Sequence, residues 1–213
     1  MLPRLVSVAI ALSLAAPTLA REGNATARVM TATSLDGRYR ADVAPVRPVA
    51  CGPDGTGATL NAAHTLNVKD VRTGRSVGGY MGGAFDKDRA HDTTVFGNPR
   101  FSPDGERVYF VARAALCELG TWRDAPKVYW VDSGSITRRP ATFVATGRLI
   151  AIVRDGPRKG ALLIQQRAAA GGRGDPVVLY SPAGKRLLTV PGSDRSGLAA
   201  LRPWLRQRGW RTC

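Results

Sequence analysis

The sequence contains few of the residues that build metal centres and redox sites. Its 213 residues include two histidines and three cysteines, and no two cysteines have the CxxC spacing that is typical of zinc sites and thioredoxin-type redox sites. The absence of this spacing leaves both classes of site without support. We assign no catalytic residue, metal ligand or cofactor from the sequence.

Long apolar stretches are also rare, and the one that is present lies at the N-terminus. Residues 5–16 are apolar apart from two serines, follow Arg4, and precede a segment, residues 17–20, with small side chains at the positions typical of a cleavage site. The stretch is shorter than the roughly 20 residues needed to cross a bilayer. We therefore predict a signal peptide over residues 1–20 and a periplasmic or secreted mature protein that begins at Arg21.

The mature part lacks a helical pattern of apolar residues except in its last twenty positions. The 24 glycines and 14 prolines interrupt the chain every few residues, and the hydrophobic content of 44% argues against wholesale disorder. We predict one all-β domain over residues 21–192, followed by a basic tail over residues 193–213 that contains a short helix.

Glycine turns divide the domain into strand pairs. A first kind of hairpin has its turn at Gly37, Gly105 or Gly147, and a second hairpin follows each one, with its turn at Gly74, Gly134 or Gly184. Four strands therefore make one unit, and the unit occurs three times. This order predicts a β-propeller-like array of about three to four four-stranded blades.

One of these turns carries a specific resemblance. Residues 101–110, FSPDGERVYF, are similar to the FSPDG motif of the TolB-like, WD-repeat-like β-propeller family, and residues 34–38 resemble a degraded copy with Leu35 in place of proline. Residues 68–74 resemble the strand and TG turn found later in such blades. The resemblance covers residues 27–190 and implies a structural motif, in which Asp and Gly form the turn and aromatic residues pack between blades. Propellers of this family usually close with six or more blades, whereas three units are clear here.

The cysteines of an exported chain are candidates for a disulfide. Cys51 and Cys117 both lie between the first and second hairpins of consecutive units, so their loops are expected to be neighbours. We predict a bridge between them, with pairing of Cys213 to either one as the alternative.

Two segments have the composition of a catalytic or metal site. Residues 74–78 match the GxSxG pattern that places a nucleophile, here Ser76, on a strand-to-helix turn, but no helical segment follows and His91 is only fifteen residues away. A hairpin turn is the favoured interpretation.

Residues 86–92 contain three aspartates and His91, but Lys87 and Arg89 lie between them and the calcium-loop spacing is absent, which favours a solvated loop.

Positive charge is concentrated in the final third of the chain. Residues 1–137 contain 16 Lys and Arg against 13 Asp and Glu, whereas residues 138–213 contain 15 against three Asp. In the tail, Leu198, Leu201 and Leu205 are spaced for one helical face, and we interpret that face as a cap on the domain rather than a membrane contact. The candidates for an anionic surface are Arg202, Arg206 and Arg208.

These features favour a non-enzymatic protein-interaction module of the cell envelope. The alternatives are a binder of anionic envelope polymers or lipid head groups through the basic final third, and a cryptic hydrolase or metal-dependent enzyme that uses Ser76 or residues 86–92. We expect an envelope protein partner and no nucleic acid. Because three blades leave sheet edges to cover, a homo-oligomer is a further possibility.

Overall fold

The computed structural model describes residues 30–43, 47–50, 59–62, 65–81, 93–116, 121–122, 125–135, 141–168 and 174–213. In these ranges the chain forms three antiparallel sheets of a propeller-like array and a short helical segment at the C-terminus. The predicted all-β class and the four-stranded units are confirmed. None of the helices in the described ranges is long and apolar enough to span a bilayer.

The first sheet has the order β1-β2-β5-β6, and β3 and β4 form a separate two-stranded sheet inserted between β2 and β5. Alternation of buried and exposed residues along β2 directs Tyr39, Ala41 and Val43 to one face. The strands are β1 (Met30–Thr33), β2 (Tyr39–Val43), β3 (Arg47–Ala50), β4 (Thr59–Ala62), β5 (Thr65–Asp70) and β6 (Ser76–Met81).

The second sheet has the order β7-β8-β10-β11, with the two-residue strand β9 paired to the end of β8. Its turn between β7 and β8 is the FSPDG segment. The strands are β7 (Thr93–Phe101), β8 (Arg107–Leu116), β9 (Thr121–Trp122), β10 (Lys127–Asp132) and β11 (Thr142–Thr146).

The third sheet has the order β12-β13-β14-β15 and is followed directly by the helical segment. A 3-10 turn at Gly197–Ala200 separates the two short helices. The elements are β12 (Arg148–Ile152), β13 (Leu162–Gln165), β14 (Val177–Tyr180), β15 (Arg186–Thr189), α1 (Ser193–Ser196) and α2 (Leu201–Gln207).

The hairpin predicted around Gly147 is wrong. β11 pairs with β10 and ends the second sheet, whereas β12 pairs with β13 and begins the third, so Gly147 marks the crossing from one sheet to the next. A Cβ at Gly147 would lie 2.6 Å from the carbonyl oxygen of Gln165, and its φ of 138° also favours glycine. The true partner of β12 is β13. The sequence did not indicate this strand, because Leu162, Leu163 and Ile164 are all apolar and buried and show no alternation of apolar and polar residues.

The turns that begin the first two sheets have the same hydrogen bonds. Ser34 Oγ donates to Asp36 and accepts the Tyr39 N–H at 2.9 Å. In the second sheet, Ser102 Oγ donates to Asp104 and accepts the N–H of Arg107 at 2.9 Å. The serine of each turn therefore bridges the acidic turn residue and the returning strand, which makes the turn a locally specified structure.

Two apolar cores join the three sheets. The core between the first and second sheets contains a row of aromatic rings in which Phe96, Phe110 and Tyr129 follow one another at centroid distances of 5.7 and 6.0 Å. The core between the second and third sheets contains Tyr109 and Val128 on one side and Leu149, Leu162 and Ile164 on the other. Burial of these faces holds the sheets together as neighbouring blades.

Candidate functional site

The first strands of all three sheets lie close together. β1 packs against β7, and the side-chain amide of Asn98 in β7 donates to the carbonyl oxygen of Leu149 in β12. Asn98 has a φ of 52° and lies at a bulge where the pairing of β7 with β8 shifts between Gly97 and Arg100. The bulge directs the Asn98 side chain from the second sheet toward the third, so that its hydrogen bond links the first strands of the two sheets.

The C-terminus is part of this centre. Cys213 exchanges two backbone hydrogen bonds with Ile152, at 2.9 and 3.1 Å, and the Arg154 N–H donates to the carbonyl oxygen of Arg211 at 2.7 Å. Residues 211–213 therefore lie along the edge of β12 that faces away from β13. The last residues of the chain cover a sheet edge that would otherwise be open.

A central cleft of about 500 Å³ lies at this junction. Arg100 is half-buried, and its buried Nε has no hydrogen-bond partner within the described residues. Burial lowers the pKa of the Arg100 guanidinium, and burial raises the pKa of the Cys213 thiol. The cleft is lined by Met30, Thr31, Ala32, Thr33, Leu35, Asn98, Pro99, Arg100, Phe101 and Cys213.

A second concavity, which we call the arginine cleft, has a volume of about 660 Å³ and lies between the second and third sheets. Three arginines line it: Arg113 from β8, Arg148 from β12, and Arg167 from the segment after β13. The remaining lining residues are Ala125, Pro126, Thr146, Gly147, Gln165, Gln166 and Asp175.

The described lining of the arginine cleft contains three basic side chains and one acidic side chain, that of Asp175. Burial, together with the nearby positive charge of Arg167, lowers the pKa of Arg113. Asp175 accepts the N–H of Ala168 at 2.8 Å. Three arginines that line one concavity create a positive potential that attracts anions.

The tail caps the third sheet, as we interpreted it from the sequence. Leu201 and Trp204 of α2 are buried, with 6% and 5% of their surface exposed, and pack on the outer face of that sheet. The predicted apolar face is wrong in part, because Leu198 is 40% exposed and Trp204 was missed. Residues 197–200 form a 3-10 turn, whose three-residue period rotates Leu198 away from the face that α2 presents.

The predicted anionic-surface residues lie on this tail, and all three are exposed: Arg202, Arg206 and Arg208. The Arg208 guanidinium makes a cation–π contact, because it lies 4.4 Å from the centre of the Trp204 ring. They are separate from the arginine cleft, none of whose lining residues comes from the tail. The three cleft arginines were not found from the sequence, where they are far apart.

The GxSxG segment is a hairpin turn followed by a strand. Ser76 begins β6, is exposed, and donates its hydroxyl to Asn67 Oδ1 at 2.7 Å. Residues 86–92, His91 among them, lie outside the described residues. Within the described ranges, no group of three or more metal-ligating side chains is present.

Cys213 is a free cysteine, so the alternative pairing of the C-terminal thiol is not formed in this structure. Cys51 and Cys117 lie outside the described residues, as does the predicted signal peptide over residues 1–20. The bridge and the cleavage site stay predictions.

Comparison with known proteins identifies no family for this chain. No protein-family model matches the chain, and no curated protein matches it in sequence. Among solved structures, the chain is similar to dipeptidyl peptidase 4 of Porphyromonas gingivalis, with 12% identity and a TM-score of 0.46. The match covers 76% of this chain and 24% of that chain, so this chain spans about a quarter of the length of the peptidase.

Proposed function

We propose that this chain is a non-enzymatic exported protein of the cell envelope that binds an acidic segment of a partner protein. The observation that supports this most directly is the convergence of Arg113, Arg148 and Arg167 on one cleft between the second and third sheets. The three side chains come from different elements, so the packing of the two sheets holds them around one space.

The electrostatics of the cleft favour an anionic partner. Burial and the neighbouring charge of Arg167 both destabilise the charged form of Arg113. A carboxylate bound beside Arg148 and Arg167 accepts paired N–H donors from their guanidinium groups, which is the geometry that arginine offers best.

The other walls of the cleft favour a peptide over a uniformly charged polymer. Gln165 contributes an amide group, and Gln166 contributes its amide oxygen, because its Nε2 already donates to Tyr180 Oη at 2.6 Å. Ala125, Pro126 and Gly147 contribute small or apolar surface. Such amide groups can hydrogen-bond to the backbone of an extended peptide. The walls of a concave site limit the length of the peptide segment that can bind in it. By contrast, Arg202 and Arg206 are exposed on a helix, where charge attracts any polyanion without selecting its shape.

Two charge-reversed variants test this assignment. We expect a fluorescent hexaglutamate peptide to bind the mature chain at low salt, with Arg148→Glu/Arg167→Glu reducing affinity by about tenfold or more, because each charge-assisted hydrogen bond contributes about 1.5–3 kcal/mol. Arg202→Glu/Arg206→Glu changes the net charge equally and is the matched control. Its effect should be about threefold or less, because these side chains do not line the cleft.

The salt series separates the competing explanations. Screening shortens the Debye length from about 30 Å at 0.01 M to about 8 Å at 0.15 M salt, so binding to diffuse charge should disappear over that range while binding in the cleft persists in part. Equal losses in the two variants would indicate diffuse charge. A larger loss in the tail variant would favour the anionic-polymer or lipid-surface function over the peptide-binding function.

Export is tested separately. The intact mass of the protein recovered from the periplasm or medium should correspond to a chain that begins at Arg21. Peptide mapping of the same material without reductant should recover Cys51 linked to Cys117. A retained N-terminus would contradict export, and reduced Cys51 and Cys117 would contradict the bridge.

A further inference from the structure

The central cleft has a chemistry of its own. It shares no lining residue with the arginine cleft, and it lies where β1, β7 and the C-terminal residues meet. Its volume of about 500 Å³ is within the roughly 300–1,000 Å³ typical of small-molecule sites. Its described lining combines one cation, Arg100, with apolar side chains and with the polar side chains of Thr31, Thr33 and Asn98.

The cation is Arg100. Its Nε is sealed from solvent without a hydrogen-bond acceptor in the described part of the chain. A buried unpaired donor costs roughly 1–3 kcal/mol, and more when the donor is charged. Burial of this Nε is therefore a structural cost. Pro99 and Phe101, on either side of Arg100, are buried and hold the strand in place.

The rest of the lining does not supply that acceptor. The Asn98 amide donates to Leu149. Burial raises the pKa of the Cys213 thiol, which disfavours its anionic form. Met30, Leu35 and Phe101 contribute apolar surface, and Met30 and Leu35 remain 36% and 50% exposed. An occupant with a charged end and an apolar body matches both parts of the lining.

We infer that the central cleft binds a small monocarboxylate with an apolar chain. The carboxylate accepts hydrogen bonds from the part of the Arg100 guanidinium that lines the cleft and not from the sealed Nε, and the chain packs on Met30, Leu35 and Phe101. Arg100 is the one cationic side chain of the described lining, so a monoanion matches it better than the dianion of a phosphate ester. This site is independent of the proposed peptide-binding function.

Octanoate and octanol are a matched pair of probes, because they share the chain and differ in the carboxylate. By calorimetry on the mature protein, octanoate should bind at least about tenfold more tightly than octanol, since a charge-assisted hydrogen bond contributes about 1.5–3 kcal/mol. Octanoate should also slow the alkylation of Cys213, followed by peptide mass mapping, because that thiol lines the same cleft.

Substitutions at Arg100 decide the assignment. Arg100→Gln should reduce the preference for octanoate to about twofold or less and abolish the protection of Cys213, whereas Arg100→Lys should keep part of both. A melting temperature at or above that of the parent checks that the fold of each variant is intact. Arg148→Glu/Arg167→Glu should leave octanoate binding unchanged, and Arg100→Gln should leave hexaglutamate binding unchanged.

Three results would overturn the inference: no octanoate binding at millimolar concentration, octanol binding as tightly as octanoate, or an unchanged preference in Arg100→Gln. None of these bears on the arginine cleft, whose test uses a different probe and different variants. Failure of the peptide-binding proposal would likewise leave the carboxylate site standing.

Discussion

The first sheet turns a polar face outward, whereas the outward face of the third sheet is apolar and lies under the C-terminal helices. On the first sheet, Asp42 pairs with Arg40 at 2.7 Å and with Lys69 at 3.7 Å, and both basic side chains are about half exposed. On the third sheet, Leu163, Val177 and Leu179 are buried beneath Leu201 and Trp204 of α2.

The difference shows two ways to end a stack of blades. A polar outer face needs no cover, because its side chains are solvated where they stand. An apolar outer face needs another element over it, and the chain supplies one by continuing past β15 into α1 and α2. The burial patterns along the strands reflect this, since β2 alternates between buried and exposed residues while β14 is buried throughout.

Removal of the cap should have the largest effect. A chain that ends at Gly192 exposes the outer face of the third sheet and the edge of β12 that residues 211–213 cover. We expect it to self-associate or aggregate in light scattering, while the full mature chain scatters as a monomer. A truncated chain that stays monomeric and melts at the same temperature would contradict the capping role of the tail. A mature chain that scatters as an oligomer would show instead that another copy covers an edge or face.

Trp204 should account for much of that cap. Trp204→Ala removes a buried ring and should lower the free energy of unfolding by about 3–5 kcal/mol in urea denaturation. Trp204→Phe should cost less than about 1.5 kcal/mol, because the indole Nε1 is buried without a partner among the described residues and its loss removes an unpaired donor. On the polar face of the first sheet, Lys69→Ala should cost less than about 1 kcal/mol. Similar losses for Trp204→Ala and Lys69→Ala would erase the distinction between the two faces.

Two glycines sharpen the comparison further. Gly147→Ala places a methyl group 2.6 Å from the Gln165 carbonyl oxygen, at the tight crossing into the third sheet. Gly37→Ala, in the turn of the first sheet, finds nothing within 4 Å and bears mainly the strain of a φ of 72°. We expect about 1–2 kcal/mol for Gly37→Ala from backbone strain alone and a larger loss for Gly147→Ala, measured by thermal unfolding. The reverse order would mean that the crossing into the third sheet is looser than its geometry indicates.

The smallest expected effect depends on pH. The Arg211 N–H and guanidinium bond Asp155 at 3.1 and 2.7 Å, and these bonds lower the pKa of Asp155 below its ordinary value of 3.8. Because the pKa is lowered on folding, the bond stabilises the tail above pH 3.8, and this contribution is lost as the pH falls through the pKa of the folded state. In urea denaturation, Asp155→Asn should be slightly less stable than the parent at pH 7, and the difference should vanish in strong acid. A difference that persists there would assign the effect to packing.

The sequence specified the turns because their hydrogen bonds are local. Ser34 and Ser102 each bond residues two and five positions along the chain, so a short motif contains the whole interaction. The short helical tail and its capping of the domain were also predicted, from leucine spacing. Leu198 was wrongly placed on the buried face because the 3-10 turn changes which residues share a face.

The clefts could not be predicted in this way. Arg113, Arg148 and Arg167 come together only because β8 and β12 belong to adjacent sheets. The predicted hairpin of β11 and β12 would have placed Arg148 in the same sheet as β11, whereas Arg148 belongs to the third sheet. Arg100 could not be predicted either, because no local sequence pattern indicates that its Nε is buried.

The sequence by itself determined the class of fold, the positions of most turns and the four-strand unit, because these follow from glycine conformation and hydrogen bonds across a few residues. The tertiary structure decided that β11 and β12 belong to different sheets, which outer face needs a cap, and which arginines share a cleft. Those outcomes depend on the register and packing of strands far apart in the chain, and many arrangements of the same strands satisfy the local rules equally well.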